Sequence, residues 1–311
     1  MGEIFLSFTF GPLIMLYVGF YLKLIKRYYT KKFKEIKKTQ KVEKIKSAEI
    51  KDEKVKEFVK KSINIKYFNQ SFFYNNLKTL KIKRSKNLKM LNIYVNQYTP
   101  VDNAIYITNE DALFHELNHV SSSYYDGDDY SGLSQNEFGT GLNEGYTELL
   151  MERYYQFTDS YCVEKRIAIN LEKIIGREKS EECYYTANLY DFIEELKQYD
   201  TEENILKFIN YVDIMSSLID NSILNKIYYH ILVNSMKKIN LYLLKWYTLK
   251  QKRLLENKLI SNKQCYNNIQ KYSKKLVSLK NVESVKYRVL DKKLINKEVE
   301  KILGERVLYE K

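Results

Sequence analysis

The sequence predicts an α+β fold that is predominantly helical, with one small sheet. Glycine and proline are scarce, at 10 and 2 of 311 residues, and a chain with so few turn formers favours long helices. Apolar and polar residues alternate over 78–83, 91–97 and 103–108, which is the pattern of half-buried strands. Most of the chain beyond residue 108 has the apolar spacing of helices instead. The 44% hydrophobic content is sufficient to bury a real core.

The first element is an apolar segment near the amino terminus, from Ile4 to Leu22, which contains nineteen residues and no charge. A helix of that length just crosses the hydrocarbon core of a bilayer. A cleaved signal peptide usually begins with a basic region, and only one acidic and two uncharged residues precede this run. We therefore predict a transmembrane anchor over residues 1–25, in preference to a signal peptide or a buried core helix.

A lysine-rich segment follows the predicted anchor and indicates its orientation. Residues 23–89 hold 23 basic and 6 acidic side chains, whereas residues 90–220 hold 8 basic and 25 acidic ones. Because positive charge close to an anchor stays on the cytoplasmic side, we expect a single-pass membrane protein with a cytoplasmic body. Apolar residues recur at an irregular helical period between 31 and 61, which favours a basic helical stalk over residues 26–62. This lysine-rich stalk either contacts anionic membrane lipid or is a solvated linker.

The uneven charge also argues against nucleic acid as a partner. The formal net charge of +13 is the balance between basic flanks and a strongly acidic centre, so it describes no single surface. None of the usual nucleic-acid-reading motifs accompanies the charge. We therefore regard nucleic-acid binding as a minor alternative.

The body of the protein is predicted in two regions. A central domain over residues 63–220 begins with the three strands and continues as helices. A C-terminal helical region over residues 221–311 completes the same body. Its first element is a long helix over residues 222–260, where apolar residues recur at helical spacing.

Capping residues indicate where the other helices begin and end. Thr108 or Asn109 follows the last strand and can cap the next helix, whose first turn is acidic. Gly176 ends a later helix. Asp200 or Thr201 has the capping-box spacing that begins another.

Two of the three histidines in the chain stand in the seven residues FHELNHV, at positions 114–120. His115 and His119 are four residues apart, so on a helix both imidazoles project from one face and can reach one ion at about 2.0–2.1 Å. Glu116 lies beside the first histidine, where a carboxylate can act as a base without being a ligand. This HExxH motif predicts a zinc site, and a pair of core histidines is the alternative.

A catalytic zinc site needs a third protein ligand and one open position. Position 125 is Tyr125, which excludes the third histidine that metzincins have there. The remaining histidine lies far downstream, but the predicted helix TGLNEGYTELL offers a glutamate, Glu144, twenty-five residues after His119. We therefore predict that His115, His119 and Glu144 bind Zn²⁺.

The segments HELNH and NEGYTE together resemble the signature of the gluzincin group of zinc peptidases, which includes thermolysin. That signature is HExxH followed by a helix reading Asn-Glu-x-x-Ser-Asp, and the second segment matches it with two conservative changes. The resemblance covers residues 103–148 and implies a zincin-like catalytic core with an active-site helix. It also implies that Asn143 and Glu148 hydrogen-bond the outward nitrogens of the two histidines, with Glu148 replacing a shorter Asp.

The resemblance further implies hydrolysis of peptide bonds with Glu116 as the general base. Zinc lowers the pKa of a bound water towards about 7, and the glutamate takes the proton and passes it to the leaving amine. Zincins also place an edge strand beside the active-site helix to bind an extended peptide. We expect the strand over 103–108 to do this, with Asn103, Ala104 and Tyr106 contacting the substrate. An ordinary sheet edge is the alternative.

A downstream side chain normally stabilises the oxyanion in such enzymes. His230 is the histidine left for that role. Its neighbours in KIYYHILVN are apolar and helical, which favours a position in the core, and Tyr228 and Tyr229 are further candidates for the catalytic role.

The stretch YYDGDDYSG, over 124–132, separates the two predicted metal helices. Its three aspartates are compatible with calcium binding, but it lacks the glutamate that ends an EF-hand loop. We predict a solvated loop beside the active site.

The sequence thus predicts a membrane-anchored zinc metallopeptidase that acts on a peptide or protein substrate. One alternative is a catalytically inactive, membrane-tethered module that binds zinc or a partner, although a decayed enzyme commonly loses the base that Glu116 provides here. Another is a binder of nucleic acid or anionic surfaces through the lysine clusters, which predicts strongly salt-dependent retention on DNA.

Overall fold

The computed structural model describes residues 36–38, 50–84, 96–155, 160–220, 228–276 and 290–304. Over these ranges the chain is mostly helical with two small sheets, which confirms the predicted α+β class. The helices are α1 (Glu53–Ser62), α2 (Gln70–Leu77), α3 (Leu113–Ser121), α4 (Thr140–Tyr154), α5 (Cys162–Ile175), α6 (Arg177–Tyr185), α7 (Leu189–Lys197), α8 (Glu202–Asp220), α9 (Tyr229–Glu256), α10 (Asn262–Ser273) and α11 (Lys292–Leu303). The strands are β1 (Lys81–Arg84), β2 (Gln97–Thr99), β3 (Ala104–Ile107), β4 (Ser123–Tyr125), β5 (Asp129–Ser131) and β6 (Ser134–Gln135).

The predicted anchor at 4–22 and most of the predicted stalk lie outside the described residues. Among the helices that the structure does describe, none combines the length and the apolarity that crossing a bilayer requires.

Helix α1 packs into the body, although the sequence placed residues 26–62 in a stalk. Its apolar face is buried: Val55 is 1% exposed and Phe58 is fully buried. The ring of Phe58 stacks on Tyr155 at 5.1 Å between centroids and meets Phe114 edge-on at 5.6 Å. The body therefore begins before residue 63, because this stretch is an amphipathic helix whose apolar stripe faces the HELNH helix.

The first sheet has the strand order β1-β3-β2, with β3 parallel to β1 and antiparallel to β2. This corrects the expectation that residues 103–108 form an edge strand, because Ala104 pairs with Lys81 on one side and with Thr99 on the other. The main chain of β3 is thus engaged by neighbours on both sides and is not open to an extended peptide. Among the described strands, β2 forms the edge that packs against α3.

The residues expected to contact substrate in this strand make internal contacts instead. Asn103 has a left-handed backbone (φ 43°), which asparagine tolerates, and its side chain donates to the Asn76 carbonyl oxygen at 2.6 Å. Ala104 is fully buried, and the Tyr106 hydroxyl accepts a hydrogen bond from Lys83 Nζ at 2.9 Å. These contacts fix the strand within its sheet.

A second sheet, β4-β5-β6, replaces the solvated loop predicted over 124–132. Its strands are antiparallel, and Gly127 has the left-handed backbone (φ 107°) of the turn between β4 and β5. Tyr130 is buried, and Tyr124 stacks on Phe72 of α2 with centroids 5.6 Å apart. The tyrosines and polar residues here therefore form strands, which the three closely spaced aspartates, two in the turn and one at the start of β5, obscured in the sequence.

The remaining helices pack around α4, which contacts α5 and α8, while α9 packs on α5, α8, α10 and α11. Gly176 follows the last residue of α5, and α8 begins at Glu202, directly after Asp200 and Thr201, so both helix boundaries agree with the prediction. The long helix predicted over 222–260 is α9, which the structure describes from Tyr229. Trp246 is fully buried where α9 meets α8.

Candidate metal centre

Helix α3 presents two imidazoles at one point. Asn109 accepts a hydrogen bond from the Asp111 backbone N–H at 3.1 Å and caps the 3₁₀ turn Glu110–Ala112 that leads into the helix. His115 and His119 are 8% and 5% exposed, and their Nε2 atoms lie 3.1 Å apart. The four-residue spacing therefore brings both rings to one buried face, as predicted.

Glu144 on α4 adds a third donor to this pair. Its Oε2 lies 3.0 Å from Nε2 of His115 and 3.4 Å from Nε2 of His119. In a tetrahedral site with bonds of about 2.0–2.1 Å, neighbouring donors are roughly 3.3 Å apart. All three donor distances agree with that spacing to a few tenths of an ångström. His115, His119 and Glu144 thus form a buried group that can hold a metal ion.

The electrostatics of this group favour positive charge among the three donors. Burial alone would lower the pKa of His115, but hydrogen bonds to Glu144 and Glu148 raise it to about 10. Burial also opposes ionisation of Glu144, yet the two histidines outweigh it and lower the pKa of this carboxyl far below its usual range. At neutral pH His115 is therefore a cation paired with an ionised Glu144. A metal ion competes with this proton, because an imidazole ligand must be neutral.

Glu116 lies beside the donors without being one of them. It is 4% exposed, and burial raises the pKa of its carboxyl against the opposing effect of His115 and His119. The backbone N–H of Tyr98, on the edge strand β2, hydrogen-bonds this carboxylate and favours its ionised form. A carboxylate whose pKa is raised towards neutrality is suited to accept a proton.

The outward nitrogen of His115 faces a second carboxylate. Nδ1 of His115 lies 3.4 Å from Oε2 of Glu148, whose side chain is fully buried. The other oxygen of Glu148 accepts a hydrogen bond from the Ser160 backbone N–H at 3.4 Å. The ring of Tyr161 stacks on the His115 imidazole at 5.6 Å between centroids and 27° between planes. Glu148 and Tyr161 thus fix the orientation of this imidazole, Ser160 holds the Glu148 carboxylate in place, and the longer Glu148 side chain still reaches the ring.

The outward nitrogen of His119 faces the side-chain amide of Asn143. Nδ2 of Asn143 lies 3.2 Å from Nδ1 of His119, while its Oδ1 accepts a hydrogen bond from the Leu133 backbone N–H at 3.2 Å. An imidazole that binds metal through Nε2 carries its proton on Nδ1 and needs an acceptor there. Metal binding in this manner therefore requires the amide to rotate, so that Oδ1 faces His119 and the bond to Leu133 is lost.

The absence of a side chain at Gly132 provides the space that the Asn143 side chain occupies. A Cβ atom at position 132 would lie 2.1 Å from Oδ1 of Asn143 and 2.7 Å from the ring of Tyr184. The backbone there is also left-handed (φ 52°), a conformation that disfavours side chains. The turn between β5 and β6 thus approaches the site closely at this glycine.

His230 is not brought to this group. It is exposed in the first turn of α9, a helix whose main packing partners are α5, α8, α10 and α11, so it lies neither beside the three donors nor in the core. Sequence reasoning also missed Tyr98, Ser160 and Tyr161, because they come from segments with no motif of their own. Only the proximity of Ser160 and Tyr161 to the start of α5 marks them in sequence.

The fold and the site together define a mostly helical α+β protein with a buried two-histidine, one-glutamate donor set and an adjacent buried glutamate. No protein-family model, curated protein or solved structure matches the chain.

Proposed function

We propose that this protein is a zinc-dependent metallopeptidase of the gluzincin type, with a zincin-like core. The observation that carries the proposal is the convergence of His115, His119 and Glu144 at tetrahedral donor spacing, with Glu116 buried beside them. Two nitrogen donors and one carboxylate oxygen are a typical ligand set of catalytic zinc, which keeps its fourth position for water or substrate.

Each side chain of the site has a defined task in such a reaction. Zinc, when bound, lowers the pKa of water and polarises the carbonyl that is attacked. Glu116 takes the proton from the attacking water and transfers it to the leaving amine. Glu148 and Asn143 orient the two imidazoles from behind.

The substrate-binding strand in this proposal is β2 rather than β3. Among the strands that the structure describes, β2 lies at an edge of its sheet and packs on the HELNH helix, and Tyr98 within it reaches Glu116. An extended peptide that pairs with this edge lies alongside the base, which supports a peptide or protein substrate.

A second candidate is a catalytically inactive module that binds zinc or a partner. The burial of the group favours it, because His115, His119 and Glu116 are each less than a tenth exposed. The presence of Glu116 argues for the enzyme, since a purely structural site needs no base.

The proposal retains a single-pass membrane anchor over residues 1–25 and a cytoplasmic body, supported by the apolar run and the lysines after it. Protease treatment of spheroplasts of an expression host that carry a C-terminal tag tests the topology. We expect the tag to be protected, and digestion from outside would reverse the orientation.

The central experiment uses the full-length chain purified in detergent, because α1 packs against the site helix. We expect close to one zinc per chain by elemental analysis and cleavage of a peptide library that a chelator abolishes. Glu116→Gln should retain zinc and lose cleavage, whereas Glu144→Gln should lose both.

The matched control is Glu152→Gln, since Glu152 lies two turns further along α4 with a 45% exposed side chain. It should resemble the unmodified protein in both measurements. Zinc binding without any cleavage would support the inactive module, and cleavage by Glu116→Gln would overturn the role of the base.

A further inference from the structure

The first backbone N–H groups of α4, the helix that carries Glu144, donate to a carboxylate from a distant part of the chain. Oδ2 of Asp213, on α8, accepts a hydrogen bond from the Gly139 backbone N–H at 2.9 Å. Oδ1 of the same side chain accepts one from the Gly141 backbone N–H at 3.0 Å. Asp213 is 5% exposed, so both contacts are made inside the protein.

The first turn of α4 has no side-chain cap from its own neighbours. The residue at the N-cap position is Gly139, which has no side chain to accept from the free backbone N–H groups of the turn. Asp213 supplies that acceptor across more than 70 residues of sequence. Its negative charge also lies at the positive end of the helix dipole.

The backbones of α8 and of this turn lie close together. A Cβ atom at position 141 would lie 3.0 Å from the Val212 carbonyl oxygen and 3.1 Å from Cβ of Ser216. The absence of a side chain at Gly141 therefore allows this close approach, and the two hydrogen bonds to Asp213 hold the turn against α8.

The turn that Asp213 caps lies directly before Asn143 and Glu144 in α4. The Asn143 backbone N–H donates to the Gly139 carbonyl oxygen at 2.9 Å, and Glu144 follows Gly141 by three residues, which is less than one helical turn. A tilt or unwinding at Gly139 therefore displaces the third donor directly.

We propose that Asp213 is a positioning residue of the metal centre, which sets the location of Glu144 and Asn143 through the first turn of α4. This inference rests on the proposed metal binding. According to this inference, α8 contributes to the affinity for the ion although it lies outside the motif.

The test compares Asp213→Asn with Asp200→Asn in the full-length protein. Asparagine keeps the shape of the side chain but offers only one acceptor oxygen to two N–H groups. Asp200 is a matched control, because it is a buried carboxylate that accepts hydrogen bonds from Lys245 and Trp246, roughly 20 Å from Asp213 along α8. Both substitutions should lower the melting temperature.

Zinc affinity, measured by competition with a chromophoric chelator while both variants are folded, distinguishes positioning from stability. We expect the zinc dissociation constant to rise about tenfold or more in Asp213→Asn and to stay unchanged in Asp200→Asn. An unchanged zinc affinity in Asp213→Asn overturns the inference, whatever the loss of melting temperature. If Asp213→Asn does not fold, Asp213→Ser replaces it, because serine retains one acceptor without added bulk. The results that support or overturn the inference are then the same as for Asp213→Asn.

Amide hydrogen exchange of the metal-free protein separates this inference from the proposed function. We expect peptides covering 139–148 to exchange faster in Asp213→Asn than in Asp200→Asn. If the unmodified protein binds no zinc, the proposed function fails, and faster exchange there still supports Asp213 as the residue that positions the turn. Equal exchange in the two variants overturns the inference.

Discussion

Zinc affinity should rise steeply with pH because a proton on His115 competes with the metal. In the metal-free protein Glu144 and Glu148 raise the pKa of His115 to about 10, against the effect of burial. Zinc binds only the neutral imidazole, so each bound ion must displace this proton. An ordinary histidine, with a pKa near 6.5, is already neutral above pH 7 and gives no such dependence.

The size of the effect follows from the distance between the pH and this pKa. At pH 7.5 His115 is about 2.5 units below its pKa, so deprotonation opposes zinc binding by about 3 kcal/mol. Each unit of pH removes about 1.4 kcal/mol of this opposition, which is a tenfold gain in affinity. Between pH 6.5 and pH 8.5 the dissociation constant should fall about a hundredfold.

Chelator competition at pH 6.5, 7.5 and 8.5 measures this slope. Calorimetry in buffers of different ionisation enthalpy should report about one proton released per zinc at pH 7.5. Glu148→Gln removes one of the contacts that raise the pKa, so its affinity should level off at lower pH. Glu152→Gln, an exposed position on the same helix, should behave like the unmodified protein.

The stability of the metal-free protein should change in the opposite direction. A pKa raised in the folded state stabilises the fold fully below the unfolded pKa of about 6.5, and this contribution is lost as the pH rises towards 10. The contribution of His115 should therefore make the free energy of unfolding of the metal-free protein smaller at pH 8.5 than at pH 6.5, as measured by denaturant unfolding. Zinc affinity that is flat above pH 7, with no proton released, would refute this account of the site.

Substitutions at three positions test the surroundings of the predicted ligands. Gly132→Ala adds a Cβ 2.1 Å from Oδ1 of Asn143 at a residue with a left-handed backbone. We expect the free energy of unfolding, measured with denaturant, to fall by about 2–4 kcal/mol. A fall of less than about 1 kcal/mol would contradict this close contact. Asn143→Asp offers an oxygen to both the Leu133 N–H and a protonated Nδ1 of His119, so zinc should bind more tightly, whereas Asn143→Ala should weaken binding by about 10–100-fold. Weaker binding by the aspartate variant would show that the amide need not rotate. Tyr161→Phe should keep the zinc affinity and Tyr161→Leu should reduce it, because the ring rather than the hydroxyl stacks on His115; equal affinities would remove Tyr161 from the site.

Which side chains of the candidate site share a helix face was predictable because that geometry is local. His115 and His119 are one helical turn apart, and the predicted partners Asn143, Glu144 and Glu148 share one short helix. The structure brings each of them to the group, including the longer Glu148. A helical spacing fixes which side chains share a face, and no tertiary information is needed for that step.

The rest of the site depends on how separate elements dock. Among the described strands β3 is central because β1 and β2 both pair with it, and alternation of apolar and polar residues does not determine which strands become neighbours. The contact between Tyr161 and His115 and the cap that Asp213 provides likewise depend on tertiary packing. His230 illustrates the reverse error, because apolar neighbours in a helical stretch did not place it in the core.

The three predicted ligands, the predicted base Glu116 and the two side chains behind the imidazoles fall within 34 positions, from His115 to Glu148. Closing so short a loop costs little chain entropy, so this segment can come together before the C-terminal helices have docked. If the proposed zinc site forms, we expect this segment to assemble around the ion first and α8, with its Asp213 cap, to dock afterwards, so that zinc assists folding as well as catalysis. Refolding at the same rate with and without zinc would contradict that order of events.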